Sequence, residues 1–179
     1  MQQDTKHILL ETERLVLRRM RLDDAEFVLN LLNTKAWIKY IGDRNVKTTE
    51  AAREYIKEKV LMGYSINRLG MLLVELKADG KALGICGLVE REGLEAPDIG
   101  FAFLPEFMGR GYALESAEPI LNYARVKLGI PKVQAITIKE NESSIRLLEK
   151  LGMTFIKTIR IPNDEEELML FEIEFKNRI

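Results

Sequence analysis

The run Phe107-Met108-Gly109-Arg110-Gly111-Tyr112-Ala113 has the residue types of an anion cradle. Two glycines let the backbone take unusual dihedrals and come close to a ligand. Arg110 adds a mobile positive charge suited to phosphate. The helix that follows offers unpaired N–H groups and the positive end of its dipole. The ligand this chemistry implies is a phosphate or pyrophosphate. A glycine turn that only starts a helix has the same composition, so the loop alone leaves both readings open. Two nucleotide patterns do not fit. A Walker loop needs a Gly-Lys-Ser/Thr ending, and a dinucleotide fingerprint needs a third glycine and an acidic residue after the next strand. That strand ends at Lys139, and Glu140 belongs to a loop.

Other reactive side chains are few. Cys86 is the single cysteine, so no intrachain disulfide and no cysteine-based zinc cluster can form. In Ile85-Cys86-Gly87-Leu88 it reads as a small buried side chain rather than a nucleophile. His7, the one histidine, lies in a polar N-terminal segment too remote for catalysis. The acidic run Asp164 to Glu167 reads as a solvated hairpin loop, and no dense carboxylate motif supports a metal site.

These residues must be held by a scaffold, and its elements are written in the apolar spacing. Leu15, Val16 and Leu17 suggest a first strand. Asp23 with Glu26 resembles a capping box, and Ala25, Val28, Leu29 and Leu32 form the helical stripe behind it. A second helix is expected from Thr49 to about Met62. Met71 to Leu76 and Ala82 to Leu88 read as a hairpin turned at Ala78-Asp79-Gly80-Lys81, and Asp98 to Leu104 as a further strand. Leu114, Ala117, Leu121, Ala124 and Leu128 define the longest helix, stopped by Gly129. Pro119 inside it predicts a kink or a locally widened turn. Val133 to Ile138 is a strand, Ser143 to Leu151 a short helix, and Phe155 to Ile161 with Leu168 to Phe175 a terminal strand pair. Trp37 and Tyr40, ahead of the second helix, read as core aromatics or acceptor-site walls. The long helix forces its flanking strands to run parallel, so the sheet is mixed.

The whole chain has 179 residues, 46% hydrophobic and 31% charged, which suits one globular domain, placed at residues 10–179. Its net charge of −1, from 27 basic and 28 acidic residues, gives no reason to expect a nucleic acid or an anionic membrane as partner. No apolar run approaches the ~18 residues of a membrane span, and Met1 to His7 lacks a signal-peptide core. A soluble cytoplasmic monomer or homodimer is the expectation.

Three segments resemble the GNAT superfamily of acyl-CoA N-acetyltransferases, in particular the branch of ribosomal-protein N-terminal acetyltransferases. They are Thr12-Glu13-Arg14-Leu15 with Leu17-Arg18, then Asp98-Ile99-Gly100-Phe101 through Pro105 to Gly109-Arg110-Gly111-Tyr112-Ala113-Leu114-Glu115, and Asn141-Glu142-Ser143-Ser144-Ile145 through Gly152-Met153. The resemblance implies an α+β fold of the GNAT type, with a central mixed sheet of about seven strands, a splayed parallel pair and about four flanking helices. It implies that amides around Met108, Gly109, Arg110, Gly111, Tyr112 and Ala113 hold the pyrophosphate of acetyl-CoA. Phe101, Ala102 and Phe103 would run beside the pantetheine arm, and Asn141 would reach it from the far side. Position 108 is often Gln or Arg in the superfamily and is Met here. The tyrosine that protonates the departing thiolate in other branches falls at Leu148, which cannot donate a proton. Ser144 is the expected substitute, with capping or packing within the short helix as the alternative. Transfer by direct attack needs an uncharged amine, and a lysine-like amine has a pKa of about 10.4, so a base or water relay is required. Asp98 is the favoured base, Glu115 a minor candidate that could simply favour the helix dipole, and water the alternative. An amide near Phe101 or Ala102 would hold the carbonyl oxygen. A catalytically silent acyl-CoA-binding module is the competing reading.

Overall fold

A computed structural model describes residues 8–67, 69–162 and 164–175. His7 lies outside the described residues. Among them eight strands form one sheet in the order β1-β2-β3-β4-β5-β6-β8-β7. The strands are β1 (Ile8–Glu11), β2 (Leu15–Arg19), β3 (Gly70–Leu76), β4 (Ala82–Val89), β5 (Asp98–Phe103), β6 (Lys132–Ile138), β7 (Thr154–Ile159) and β8 (Leu168–Glu174). This is one strand more than expected. β1 is four residues long and irregular between Ile8 and Leu10, so it carries no clean alternation.

The helices are α1 (Ala25–Leu32), α2 (Lys35–Tyr40), α3 (Thr49–Tyr55), α4 (Met62–Asn67), α5 (Tyr112–Val126) and α6 (Glu142–Lys150). α2 was not foreseen as a helix. It is a turn and a half long, capped by the Thr34 hydroxyl, which accepts the Trp37 amide at 3.2 Å. α1 also begins differently from expectation. A 3-10 turn, Leu22–Asp24, precedes it, and Asp24 rather than Asp23 does the capping, accepting the Arg21 amide at 2.7 Å. The same Asp24 carboxylate takes both terminal nitrogens of buried Arg18, at 2.9 and 2.7 Å. α5 is unbroken across Pro119, with no widened turn there. The widened turn of this chain is elsewhere, a π segment at Ile56–Leu61 joining α3 to α4.

β4 shows why the sheet sits at the centre. Leu83 to Leu88 are all buried, so both faces of this strand are covered. α5 packs on β2, β4 and β5, while α4 packs on β3 and β4. Ala117, Ile120, Leu121 and Ala124 form the buried stripe of α5. Each larger apolar side chain buried this way contributes roughly 1.5–3 kcal/mol.

Every neighbouring pair is antiparallel except β5 and β6, which run parallel and share one ladder pair, Asp98 with Gln134. The Gln134 amide donates to the Pro97 carbonyl at 2.9 Å, and beyond that point the strands part. The expected splayed parallel pair is therefore present. Side chains lock its apex. Gln134 accepts from the amides of Glu95 and Ala96 at 3.0 and 3.1 Å and donates to Glu172 at 2.9 Å.

Candidate acyl-transfer site

Asp98 sits at the apex of the splay. Its carboxylate accepts the amide of Ile136, two residues past the last rung on β6, and binds Arg91 Nε at 2.8 Å. Burial pushes the Asp98 carboxyl up to about 6, opposed by the Arg91 charge and by the two hydrogen bonds.

The register of β4 against β5 decides which amides face the gap. The Leu104 amide donates to the Leu83 carbonyl, so by antiparallel alternation Ala102 and Gly100 also turn their amides to β4. Phe101 and Phe103 turn theirs to the open side. Of the two residues considered for holding a carbonyl oxygen, Phe101 has the available amide and Ala102 does not.

The phosphate loop follows β5 through a 3-10 turn, Pro105–Phe107. Gly109 and Gly111 have φ of 72° and 82°, left-handed values that side-chain-bearing residues rarely take. Gly111 is the N-cap of α5 and no side chain caps it. The amides of Tyr112, Ala113 and Leu114 belong to the first turn and have no intrahelical acceptor, whereas the Glu115 amide donates to the Gly111 carbonyl. Two expectations change here. The Met108 amide already donates to the Pro105 carbonyl at 3.2 Å, so it is not a free donor, although Met108 still lines the cavity. The Arg110 side chain is exposed and is not part of the cavity wall, which Gly109 and Gly111 do line.

The loop is stapled from the start of β2. Arg14 donates from Nε and its backbone amide to Glu115, at 2.7 and 2.9 Å, and Thr12 donates to the same carboxylate at 2.6 Å. Arg14 also bonds the Arg110 carbonyl at 3.3 Å and stacks 4.5 Å from the Tyr112 ring centre. Glu115 is fully engaged, and its hydrogen bonds and ion pair hold its carboxyl below the ordinary value against the opposing effect of burial. It is a fastener and not a base. The sequence held the signal for this staple in Thr12-Glu13-Arg14, but its partner lies 101 positions away.

Two cavities meet where β5 and β6 part. One, of about 460 Å³, runs from the phosphate loop along Phe101 to Phe103 to Asn141, Ser143 and Ser144. The other, of about 290 Å³, is walled by Asp98, Thr137, Tyr55 and Arg44. Trp37, Tyr40, Phe101, Ala102, Asn141 and Ser144 line both. Trp37 is at once a core aromatic, 6% exposed, and a cavity wall. Asn141 Oδ1 caps α6, accepting the Ser144 amide at 3.2 Å and the Ser143 hydroxyl at 2.9 Å, which leaves its amide nitrogen uncommitted. The Ser144 hydroxyl has no hydrogen-bond partner among the described residues and stands at the junction. Leu148, 1% exposed, lines the second cavity and offers no proton.

Cys86 is fully buried, pushed up to about 12 by burial against weaker opposing bonds from Ser116 and Gly87. A buried thiol held protonated is no nucleophile at neutral pH. No group of three or more metal-ligating side chains occurs among the described residues, and no helix is long and apolar enough to cross a membrane.

A parallel pair opened beside a helix N-terminus, with one cavity leading from that terminus and a second joining it at the opening, is the architecture of acyl-CoA acetyltransferases. This chain belongs to the GNAT acetyltransferase family, matching its acetyltransferase domain over residues 14–154. Among relatives, the Bacillus subtilis (strain 168) protein YkkB is 32% identical over 156 residues, covering 84% of this chain and 88% of that one. An acetyltransferase from Agrobacterium tumefaciens C58 has the same fold, with a TM-score of 0.78 at 21% identity over 93% of this chain and 94% of that one. The spermidine N-acetyltransferase of Vibrio cholerae, solved with CoA and spermine, aligns with a TM-score of 0.73 at 19% identity, over 91% and 96% of the two chains.

Proposed function

We propose that this protein, as a single domain over residues 10–179, transfers the acetyl group of acetyl-CoA to a primary amine by direct attack. The observation that carries the reading is the meeting of two cavities at the opening of β5 and β6, with an unpaired hydroxyl and a free amide at their junction. The opening Thr-Glu-Arg-Leu motif supports a place beside the ribosomal-protein N-acetyltransferase branch.

The residues present fit the cosubstrate. The amides of Gly111 to Leu114 would hold the pyrophosphate at the positive end of α5, where no side chain caps the helix. The free backbone edge at Phe101 and Phe103, and the Asn141 amide nitrogen, would bind the pantetheine arm. Acetyl-CoA supplies the activated acyl group on sulfur. The Phe101 amide stabilises negative charge as it gathers on the carbonyl oxygen. Asp98, directly or through water, takes a proton from the incoming ammonium, a task suited to a carboxyl near 6. The Ser144 hydroxyl gives a proton to the leaving thiolate and takes in its place the proton that the attacking nitrogen sheds as it becomes an amide.

Thiol release from acetyl-CoA, measured with and without amines in a panel of polyamines, amino acids and peptides, tests the reading. Amine-dependent release is expected. Tight binding of acetyl-CoA with no release for any amine would replace it with the silent binding module.

A further inference from the structure

The acceptor-side cavity has an unusual charge inventory for a site that would receive a polyamine. Its walls carry three basic residues, Arg44, Lys59 and Arg91, against one acid, Asp98. That acid is already committed to Arg91 at 2.8 Å and to the Ile136 amide. A second ammonium group on the acceptor would find no free carboxylate there. Arg44 and Lys59 are exposed and form no ion pair among the described residues. Asp43, next to Arg44, is taken by Lys47 at 3.0 Å. Arg44, Tyr55 and Lys59 line this same cavity, Tyr55 at the end of α3 and Lys59 in the π segment that follows it. Met20, Val28 and Leu32 add apolar surface to the same cavity. An enclosure of about 290 Å³ suits a small molecule.

Resting on the acetyltransferase reading above, we infer that the acceptor is a small primary amine carrying a carboxylate, an amino acid in chemical class, whose acid group pairs with Arg44 and Lys59. Unpaired cations at a cavity mouth attract an anionic ligand and repel a polycation. The assignment also separates the two ends of the acceptor. Its amine reaches the Asp98 and Ser144 end, and its carboxylate stays at the wetter rim.

The test uses the full chain with acetyl-CoA and four acceptors: L-phenylalanine, L-methionine, L-phenylalanine methyl ester and spermidine. The free acids should exceed the ester and spermidine in kcat/KM by about fivefold or more, the effect of contacts to exposed cations. Arg44→Glu with Lys59→Glu should invert that order. The acetyl-CoA-induced rise in Tm should persist in this variant and so report that it is folded and binds the cosubstrate. An ester or spermidine rate equal to or above that of the acids overturns the inference while leaving acetyl transfer standing. An acid preference that survives the double variant also overturns it. Absence of transfer to every amine, with the Tm rise intact, removes the transferase reading and this inference with it.

Discussion

At Asp98 one carboxylate sits where the strands part and lines the smaller cavity. Its carboxyl is raised by burial from 3.8 to about 6, so the native state binds this proton more tightly than the unfolded chain does. Stability from this group is therefore greatest at low pH and falls as pH rises from about 4 to about 6. Above that window the buried charge costs on the order of 3 kcal/mol, two pH units of differential binding. Asp98→Asn should leave Tm at pH 8 unchanged or higher, and should remove the pH dependence of stability between 4 and 6, read by thermal unfolding across that range. The same substitution should lower kcat by about a hundredfold and abolish the acid limb of the kcat/KM profile near pH 6. A full rate with the limb retained would hand the proton to water alone. Ser144→Ala isolates the other end of the reaction. It should reduce kcat by roughly tenfold or more with the acetyl-CoA Kd nearly unchanged, measured by steady-state kinetics beside calorimetry. An unchanged rate would leave Ser144 with packing only.

At the scale of elements, the decisive unit is the β5–loop–α5 segment and the staple across it. Gly111→Val should abolish measurable acetyl-CoA binding. Within the protein the added Cβ would meet only the far end of Arg14, at 3.4 Å, so the strain on the chain itself comes from the φ of 82°. A β-branched side chain is strained in that conformation and would twist the first-turn amides away from the phosphates. Arg14→Ala should act more mildly. Arg14 is 45% exposed, so its ion pair with Glu115 contributes about 1 kcal/mol, and a roughly fivefold weaker Kd for acetyl-CoA is expected by calorimetry. These elements were also the most legible in the sequence, because β5, the glycine loop and α5 are contiguous and their signals are local. α2 was not legible. Six residues with a threonine cap carry too few periods to stand out, and yet Trp37 and Tyr40 on it line both cavities. Pro119 gives no widened turn, since α5 continues through a residue that removes only one hydrogen bond.

At the scale of the whole molecule, the site is a consequence of long-range pairing. The single ladder pair between β5 and β6 marks the opening, and β8 holds the other edge of β6. No local pattern announces that Asp98 will accept the Ile136 amide, or that Arg44, Lys59 and Arg91 will share a cavity from three separate segments. The glycine loop and helix start were readable because they are adjacent in the chain. The walls of the smaller cavity were not, because they are assembled by packing. Ligand linkage gives a global readout of the same assembly. Saturation at about a hundred times Kd should add about 2.7 kcal/mol to stability, a rise of several degrees in Tm. The central claim meets its most direct test in one reaction mixture. The chain is incubated with acetyl-CoA and an amine panel, and mass spectrometry counts acetylated amine, free CoA and acetylated protein together. Equal amounts of acetylated amine and free CoA, with no acetyl group left on the protein, are predicted. Acetyl-CoA that binds and is never consumed would contradict the account.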